Sequence, residues 1–564
     1  MTNMEGKKNS EIVIALVCPL GTNIEMVLDE LSTELNEYGY SSSIHRLSEF
    51  FAEVGATDFS HLPFDERLDA AMTAGDELRA RWGRGDALAL RAIADIVATR
   101  EEGSDEVIGA GETEVGNKPL AGYLGRHAYI LRSLKTQDEV KMLRAVYGSR
   151  LFLIAAYAPD EVRLDYLRVE IRKSRHSNDP TTWSHQPEAL IARDWAEEEQ
   201  LYGGQDVVGT YQQADFFINA ADADATKRDV IRTLEILFGH PFRTPTRDEF
   251  GQFAAQGAAL RSSELGRQVG AAICGSSGAV IALGTNEVPK SGGGAYWEGD
   301  PESKDFREFK FGKRDTNRVH QDELASELTE SITSDLLRRV EAESGKEAAE
   351  RLAGSMESLG SIFGESIRGG ALRSLTEFGR AVHAEMDALL DAARRGVSVA
   401  GATLYTSTFP CHNCARHIIA AGITRVVYVS PYAKSKAESL HSDALVVASA
   451  DPEGRVSFEP FVGVAPRRYM VAFDAAARER LGHQRRKDAD GYVQAQFDKH
   501  AAIPVIPDLE LEAVRPLIQP YRQREELALE HYEQMCSSIE VSGGGDTKAL
   551  GEEDAPESTG ERRI

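Results

Sequence analysis

Cysteine is scarce in this chain: Cys18, Cys274, Cys411, Cys414 and Cys536 are the only five in 564 residues. Five scattered thiols cannot form the disulfide framework of a secreted scaffold, so the sequence predicts a reducing, cytoplasmic setting. Long hydrophobic runs are also missing. Met1 to Ser10 is polar, and the apolar run from Ile12 to Cys18 is far shorter than a membrane span or a signal-peptide core. No membrane partner and no targeting are therefore expected. A basic excess is missing too. With 64 Lys+Arg against 90 Asp+Glu the formal net charge is −26, which disfavours non-specific attraction to polyanions and confines any such site to a local basic pocket. At 42 % hydrophobic and 27 % charged the chain is neither collagen-like, mucin-like nor wholly disordered. Its length corresponds to about three or four folding units at roughly 150 residues each.

What is present begins with a strand, a turn and a helix. Ile12 to Val17 reads as a buried strand, and Val27, Leu31 and Leu35 place one apolar stripe on the helix after it. Leu151 to Tyr157 and Phe216 to Asn219 read as further buried strands, with a long helical stretch from Glu66 to Arg100 before them. Strands separated by helices predict a parallel sheet, placed at 11–240 after a flexible 1–10. The Pro-containing PFRTPTR run marks a linker at 241–260. Val269 to Cys274 and Ala279 to Leu283 flank a Gly-Ser-Ser-Gly hairpin signal and open a second domain at 261–500. A charged, helix-favouring insertion occupies about 300–380. Next come a helix with Met386, Leu389, Leu390 and Ala393 on its apolar face, a strand at Ala402 to Thr406, a helix at Cys411 to Ala421 and a strand at Val426 to Ser430. The core of this domain reads β-β-α-β-α-β. Residues 501–541 are expected to be helical, and 542–564 (SGGGDTKALGEEDAPESTGERRI) a disordered tail.

The chemistry lies in two half-motifs, His383-Ala384-Glu385 and Pro410-Cys411-His412-Asn413-Cys414. One imidazole and two thiolates are the three protein ligands of a catalytic Zn²⁺ site that keeps its fourth position for water. Glu385 is left over as a proton carrier. Cys411 and Cys414 fall three apart at a helix start, whose N-terminus favours thiolates. His383 and Glu385 project about 200° apart on a helix axis, so they converge only over the helix's first turn. A structural zinc site would instead recruit His412 or His417 as a fourth ligand and leave Glu385 unexplained. H-x-E followed by P-C-x-x-C is the stated signature of zinc-dependent nucleobase deaminases, in which hydrolysis releases ammonia.

From Arg261 to about Ser430 the sequence resembles the deoxycytidylate deaminase family, in RSSELGRQVGAAI (Arg261 to Ile273), GTNEVP (Gly284 to Pro289) and LYTSTFPCHNCARHIIAAGITRVVYV (Leu404 to Val429). The resemblance implies a cytidine-deaminase α/β/α fold, Asn286 against the nucleotide sugar, Ser407 and Phe409 at the substrate, and a homo-oligomer. Asn286 also suits a turn, and Tyr296 and Trp297 suit either base stacking or a core.

Leu16 to Asn23 lies where a phosphate-binding loop would lie, yet it lacks the first Gly and the Lys of G-x-x-x-x-G-K-[ST]. Gly21 and Thr22 at a helix start still suit a phosphate. Arg163, Arg168, Arg172, Lys173 and Arg175 resemble the lid of nucleoside-monophosphate kinases, with Arg163 and Arg172 facing the phosphate. A charge run of this kind is usually a solvated face. A degenerate P-loop kinase-like domain before a deaminase is similar to the bacterial two-domain anti-phage deoxycytidylate deaminases. That resemblance implies conversion of free dCTP or dCMP to deoxyuridine nucleotides, starvation of phage DNA synthesis, and restraint by a nucleotide effector, an inhibitory RNA or another regulator. The alternatives are a deaminase of single-stranded DNA or RNA, which the acidic charge disfavours, and a silent nucleotide sensor, which retention of Glu385 disfavours.

Overall fold

The computed structural model describes residues 11–53, 59, 61–102, 114–115, 118–119, 124, 126–176, 185–195, 205–312, 314–354, 367, 372, 375, 377–431, 435–448, 452–475, 484–487 and 493–496. The calls on 1–10, 501–541, 542–564 and Cys536 lie outside the described residues. The fold is mixed α/β with two six-stranded, mainly parallel sheets. The strands in chain order are β1 (Ile12–Val17), β2 (Ser41–Arg46), β3 (Glu114–Val115), β4 (Lys118–Pro119), β5 (His127–Arg132), β6 (Leu151–Tyr157), β7 (Phe216–Asn219), β8 (Gly270–Cys274), β9 (Val280–Thr285), β10 (Thr403–Thr408), β11 (Arg425–Ser430), β12 (Leu445–Val447), β13 (Val456–Pro460), β14 (Gly463–Val464), β15 (Gln484–Lys487) and β16 (Val493–Gln496). The pairs β3–β4 and β15–β16 form separate two-stranded ladders.

The first sheet runs β14-β7-β6-β1-β5-β2. The five strands from β7 to β2 are parallel, as the alternation of strands and helices requires, and only β14 is antiparallel. β1 lies at the centre and is buried along its whole length, which explains its unbroken apolar run. Val27, Leu31 and Leu35 of the helix Ile24–Glu37 pack into the same core. Two features of this half escape a hydropathy reading. β2 is a polar edge strand, SSSIHR, with one fully buried side chain, His45. The stretch expected as one helix over Glu66 to Arg100 is two, Phe64–Trp82 and Ala87–Glu102. Gly83, at φ 62°, ends the first in the left-handed conformation that favours glycine.

The second sheet runs β12-β13-β11-β10-β8-β9. β9, β8 and β10 are antiparallel neighbours, and β10, β11, β13 and β12 are parallel. The expected order of two strands, helix, strand, helix, strand holds from β8 to β11, with helices Ala384–Arg394 and His412–Ala420. The insertion contains the helix Thr316–Ser344. The helix Ala384–Arg394 packs Met386 and Leu389 of its expected apolar face against the core, but Leu390 and Ala393 are exposed. Its buried residues are Ala384, Glu385, Ala388 and Ala392, while Leu390 is 52 % exposed. The helix backbone lies so close to Gly284 of β9 that a Cβ there would stand 2.1 Å from Ala384 O and 2.3 Å from Ala388 N. Only small residues fit that seam, so the larger apolar side chains are turned to its flanks.

The two sheets are welded together. The stretch expected as a linker contains the helix Arg247–Ala259, closed at its start by a Thr246/Glu249 capping box. It packs on the second sheet so tightly that a Cβ on Gly270 would meet Ala255 O at 2.0 Å. Its Asp248 receives both terminal nitrogens of Arg425 at 2.7 and 2.8 Å and the Tyr405 hydroxyl at 2.9 Å. The fully buried Glu249 accepts from Arg232 at 2.7 Å and from Val464 N at 3.0 Å. Phe461 and the residue after it carry the chain out of β13, and β14 then pairs with Phe216 and Phe217 of β7.

Candidate active site

The candidate site forms where two helix starts meet at the end of the second sheet. His383 is the N-cap of the helix Ala384–Arg394, and Cys411 is the N-cap of the helix His412–Ala420. The His383 side chain thus projects past the end of its helix, while Glu385 stays within the first turn. Both thiols stand beside the imidazole, with Cys411 Sγ and Cys414 Sγ each 3.4 Å from His383 Nδ1. Cys414 Sγ is also 3.4 Å from Glu385 Oε2, and Glu385 is 4 % exposed.

The donor set fits a divalent metal. The three ligand atoms lie within 4.8 Å of one another and could hold an ion. Zinc–sulfur and zinc–nitrogen bonds of ordinary length at a tetrahedral angle separate the two donors by about 3.5 Å, against 3.4 Å observed. Among the described residues no other His, Cys, Asp or Glu joins this group. His417 Nδ1 instead lies 2.6 Å from Asn413 O, so the fourth position is left open.

The ionisation of these groups follows from their crowding. Cys411 is drawn down to about 4, first by its hydrogen bond with Cys414 and then by His383 against the opposing cost of burial. Cys414 is pushed up by its hydrogen bond to Cys411 and by burial. His383 is raised to about 9 by the Cys411 thiolate. The set is poised as thiolate and imidazolium, the charges that a divalent cation replaces by displacing protons. Burial raises Glu385 above the ordinary carboxylate range, which suits a group that must carry a proton near neutrality.

The other sequence candidates divide. Asn286 lies at the end of β9, and its side chain is engaged by the backbone: Oδ1 accepts from Val269 N at 2.7 Å and Nδ2 donates to Arg267 O at 2.7 Å. Ser407 Oγ accepts from Gly270 N at 3.3 Å. The Phe409 ring stands 4.9 Å from Tyr428 and 5.4 Å from Phe458. Tyr296 is buried beside Phe306, whereas Trp297 is 55 % exposed with the Arg261 guanidinium 4.1 Å over its ring. Arg261 carried no distinct signal in the sequence beyond its place in the family-like stretch.

In the first sheet, the loop after β1 is filled by the chain's own groups. Leu20 N donates to Asp194 Oδ2 at 2.8 Å, and Lys135 Nζ holds the other oxygen at 2.6 Å. Arg163 is 1 % exposed. Its guanidinium donates to Leu20 O at 3.0 Å and to Asp160 at 2.6 Å, and its own backbone crowds Gly21. The buried Thr22 hydroxyl finds no hydrogen-bond partner among the described residues. Arg172 Nε donates to Arg168 O at 3.1 Å. Asp194 was not singled out in the sequence, where it is one of many acidic residues.

Residues 246–430 match the family model described as the cytidine and deoxycytidylate deaminase zinc-binding region. The chain carries a cytidine/deoxycytidylate deaminase domain. The deoxycytidylate deaminase of Enterobacteria phage T2 is 47 % identical over 55 residues, which are 10 % of this chain and 29 % of that protein. The human deoxycytidylate deaminase is 36 % identical over 55 residues, 10 % of this chain and 30 % of its own. The chain thus spans under a third of the length of these curated relatives. The dCMP deaminase of cyanophage S-TIM5 in apo form matches at 15 % identity and a TM-score of 0.20, covering 39 % of this chain and all of that one. At that score the likeness adds nothing to the fold. The matched segment includes the helix Arg247–Ala259, which packs on β8 and β10.

Among the described residues, no helix is long and apolar enough to cross a membrane.

Proposed function

We propose that the chain is a zinc-dependent hydrolase that converts free deoxycytidine nucleotides, dCMP or dCTP, to deoxyuridine nucleotides. The observation that carries the reading is the three-donor group His383, Cys411 and Cys414 beside the buried Glu385, inside a segment that matches a deaminase family. A zinc ion held by those three residues supplies a water whose pKa falls to roughly 7. His383, Cys411 and Cys414 hold and orient; Glu385 moves protons. Its carboxylate takes a proton from the attacking water, delivers it to the ring nitrogen beside the amine-bearing carbon, and passes the second to the leaving amine. A carbon–oxygen bond forms, the carbon–nitrogen bond breaks, and ammonia leaves. Arg261, whose charge acts on Asp387 in the first turn of the helix that carries Glu385, and the exposed Trp297 offer a cation and an aromatic face for nucleotide contacts. The cytosolic consequence we infer is drainage of the dCTP pool, which would act as a defence against phage.

The test is ammonia release from dCMP, dCTP, cytidine and single-stranded DNA by the purified, zinc-analysed protein. Release from the deoxynucleotides is expected, with a net charge of −26 disfavouring a polynucleotide. Conversion of cytosines in single-stranded DNA with none in free nucleotides would overturn the reading.

For the first sheet we propose a regulatory rather than a kinase role. The loop lacks a lysine for phosphoryl transfer, and Asp194 already receives the Leu20 amide. A phosphate-bearing effector would have to displace that carboxylate. Asp194→Asn is therefore expected to raise affinity for such a ligand, read by calorimetry with dTTP and with inorganic phosphate. Measurable phosphorylation of dCMP would refute the role.

A further inference from the structure

The second half of the metal motif leaves β10 through Phe409 and Pro410; Ser435 Oγ donates to Pro410 O at 2.9 Å, and two further contacts of this turn are made to the end of β11. Phe409 N donates to Ser430 O at 2.7 Å, and the Phe409 ring stands edge-on to Tyr428 at 4.9 Å. That end of β11 is gripped in turn by Gln212 at the end of the helix Val207–Tyr211, by Tyr157 of the first sheet and by Phe461 after β13. Gln212 Nε2 donates to Ser430 Oγ at 2.5 Å. The phenols of Tyr157, at the end of β6, and Tyr428 are close enough to interact. Phe461, whose N–H donates to Tyr428 O at 2.7 Å, sets its ring edge-on to Phe217 of β7 at 5.6 Å. Tyr428 is 5 % and Ser430 1 % exposed, so the β11 side of these contacts is shielded from water, while Gln212 reaches Ser430 from the surface.

We propose that Gln212, which caps the helix leading into β7 of the first sheet, and Tyr157, at the end of β6, are positioning residues for the turn that presents Cys411 and Cys414. The chain of contacts is short, from the exposed Gln212 to the buried Ser430, from Ser430 to Phe409, and from Phe409 to Cys411 two residues on. A side chain that supports a ligand-bearing segment from behind sets how well its donors converge, and losing such support characteristically weakens metal binding. It also gives the first sheet a physical route to the metal site without any ligand shared between them. The inference rests on the metal reading of the site, not on the identity of the substrate.

The experiment uses the full chain. In Gln212→Ala, zinc affinity measured by chelator competition is expected to fall about 3- to 30-fold, and the visible absorption bands of the cobalt-substituted protein, which report ligand geometry, are expected to shift. Turnover should fall at saturating zinc with little change in KM, and Gln212→Glu, which can still pair with the Ser430 hydroxyl, should recover most of the loss. Ser430→Ala removes only a hydroxyl and provides the same reading should Gln212→Ala fold poorly; the two changes together should be less than additive. Unmoved zinc affinity and cobalt spectra in both variants would sink this inference alone. Wild-type protein that takes up no zinc would sink the metal reading and the inference together.

Discussion

A close seam lies between β9 and the helix that carries Glu385 and is capped by His383, and Gly284→Ala probes it directly. A Cβ on Gly284 would lie 2.1 Å from Ala384 O, 2.3 Å from Ala388 N and 2.9 Å from Ala388 Cα. All three are backbone atoms of one helix, so no rotamer change relieves the clash. Restoring ordinary contact at about 3.5 Å requires the helix to withdraw by about 1 Å or more. Overpacking of this kind costs about 1–3 kcal/mol. The displaced atoms include the peptide of Ala384, between His383 and Glu385, and a 1 Å misplacement of catalytic groups lowers turnover by about 100-fold. The expected outcome is a reduced midpoint in urea unfolding together with a fall of about two orders of magnitude in ammonia release. Gly257→Ala is the control, because no atom lies within 4 Å of a Cβ there; it should be neutral or stabilising by up to about 1 kcal/mol. A Gly284→Ala protein as stable and active as wild type would refute the close-approach argument.

Glu385→Gln should keep its metal, by elemental analysis, while turnover drops by about 10²- to 10⁴-fold; near-normal turnover would exclude Glu385 as the proton carrier. Cys411→Ser and Cys414→Ser should each lower metal content, since each removes one of three donors. Full occupancy in both would displace them as ligands. His127 is lowered to about 4, chiefly by burial. Its unfolded form therefore takes up a proton first, and stability is lost as pH falls from about 6.5 towards 4, by up to about 3 kcal/mol. Denaturant titrations of wild type and His127→Gln across that range should differ in slope, and parallel curves would remove His127 from the account. Asn286→Ala should impair folding as well as nucleotide use, because its side chain bonds the backbone at both Val269 and Arg267. A pure loss of nucleotide affinity at wild-type stability would restore a sugar-reading role alone.

The sequence by itself determined what depends on local pattern. The strands Leu151–Tyr157 and Phe216–Asn219 are bounded as hydropathy and turn residues indicate, and His383, Glu385, Cys411 and Cys414 were legible because few residue types ligate metal and their spacings are fixed by helix starts. Tertiary structure decided what depends on partners far along the chain. The polar strand Ser41–Arg46 exists because β5 pairs with it in register, from Ser41 opposite His127 to Arg46 opposite Arg132. Part of the face of Ala384–Arg394 was misread because periodicity locates an apolar stripe but not a glycine on a neighbouring strand that leaves room only for alanines. The return of Gly463–Val464 to the first sheet, Asp194 on the Leu20 amide and Gln212 on Ser430 have no local signature at all. Each is a polar or backbone pairing between segments whose proximity is created only when the two cores close, and a one-dimensional pattern carries no record of it.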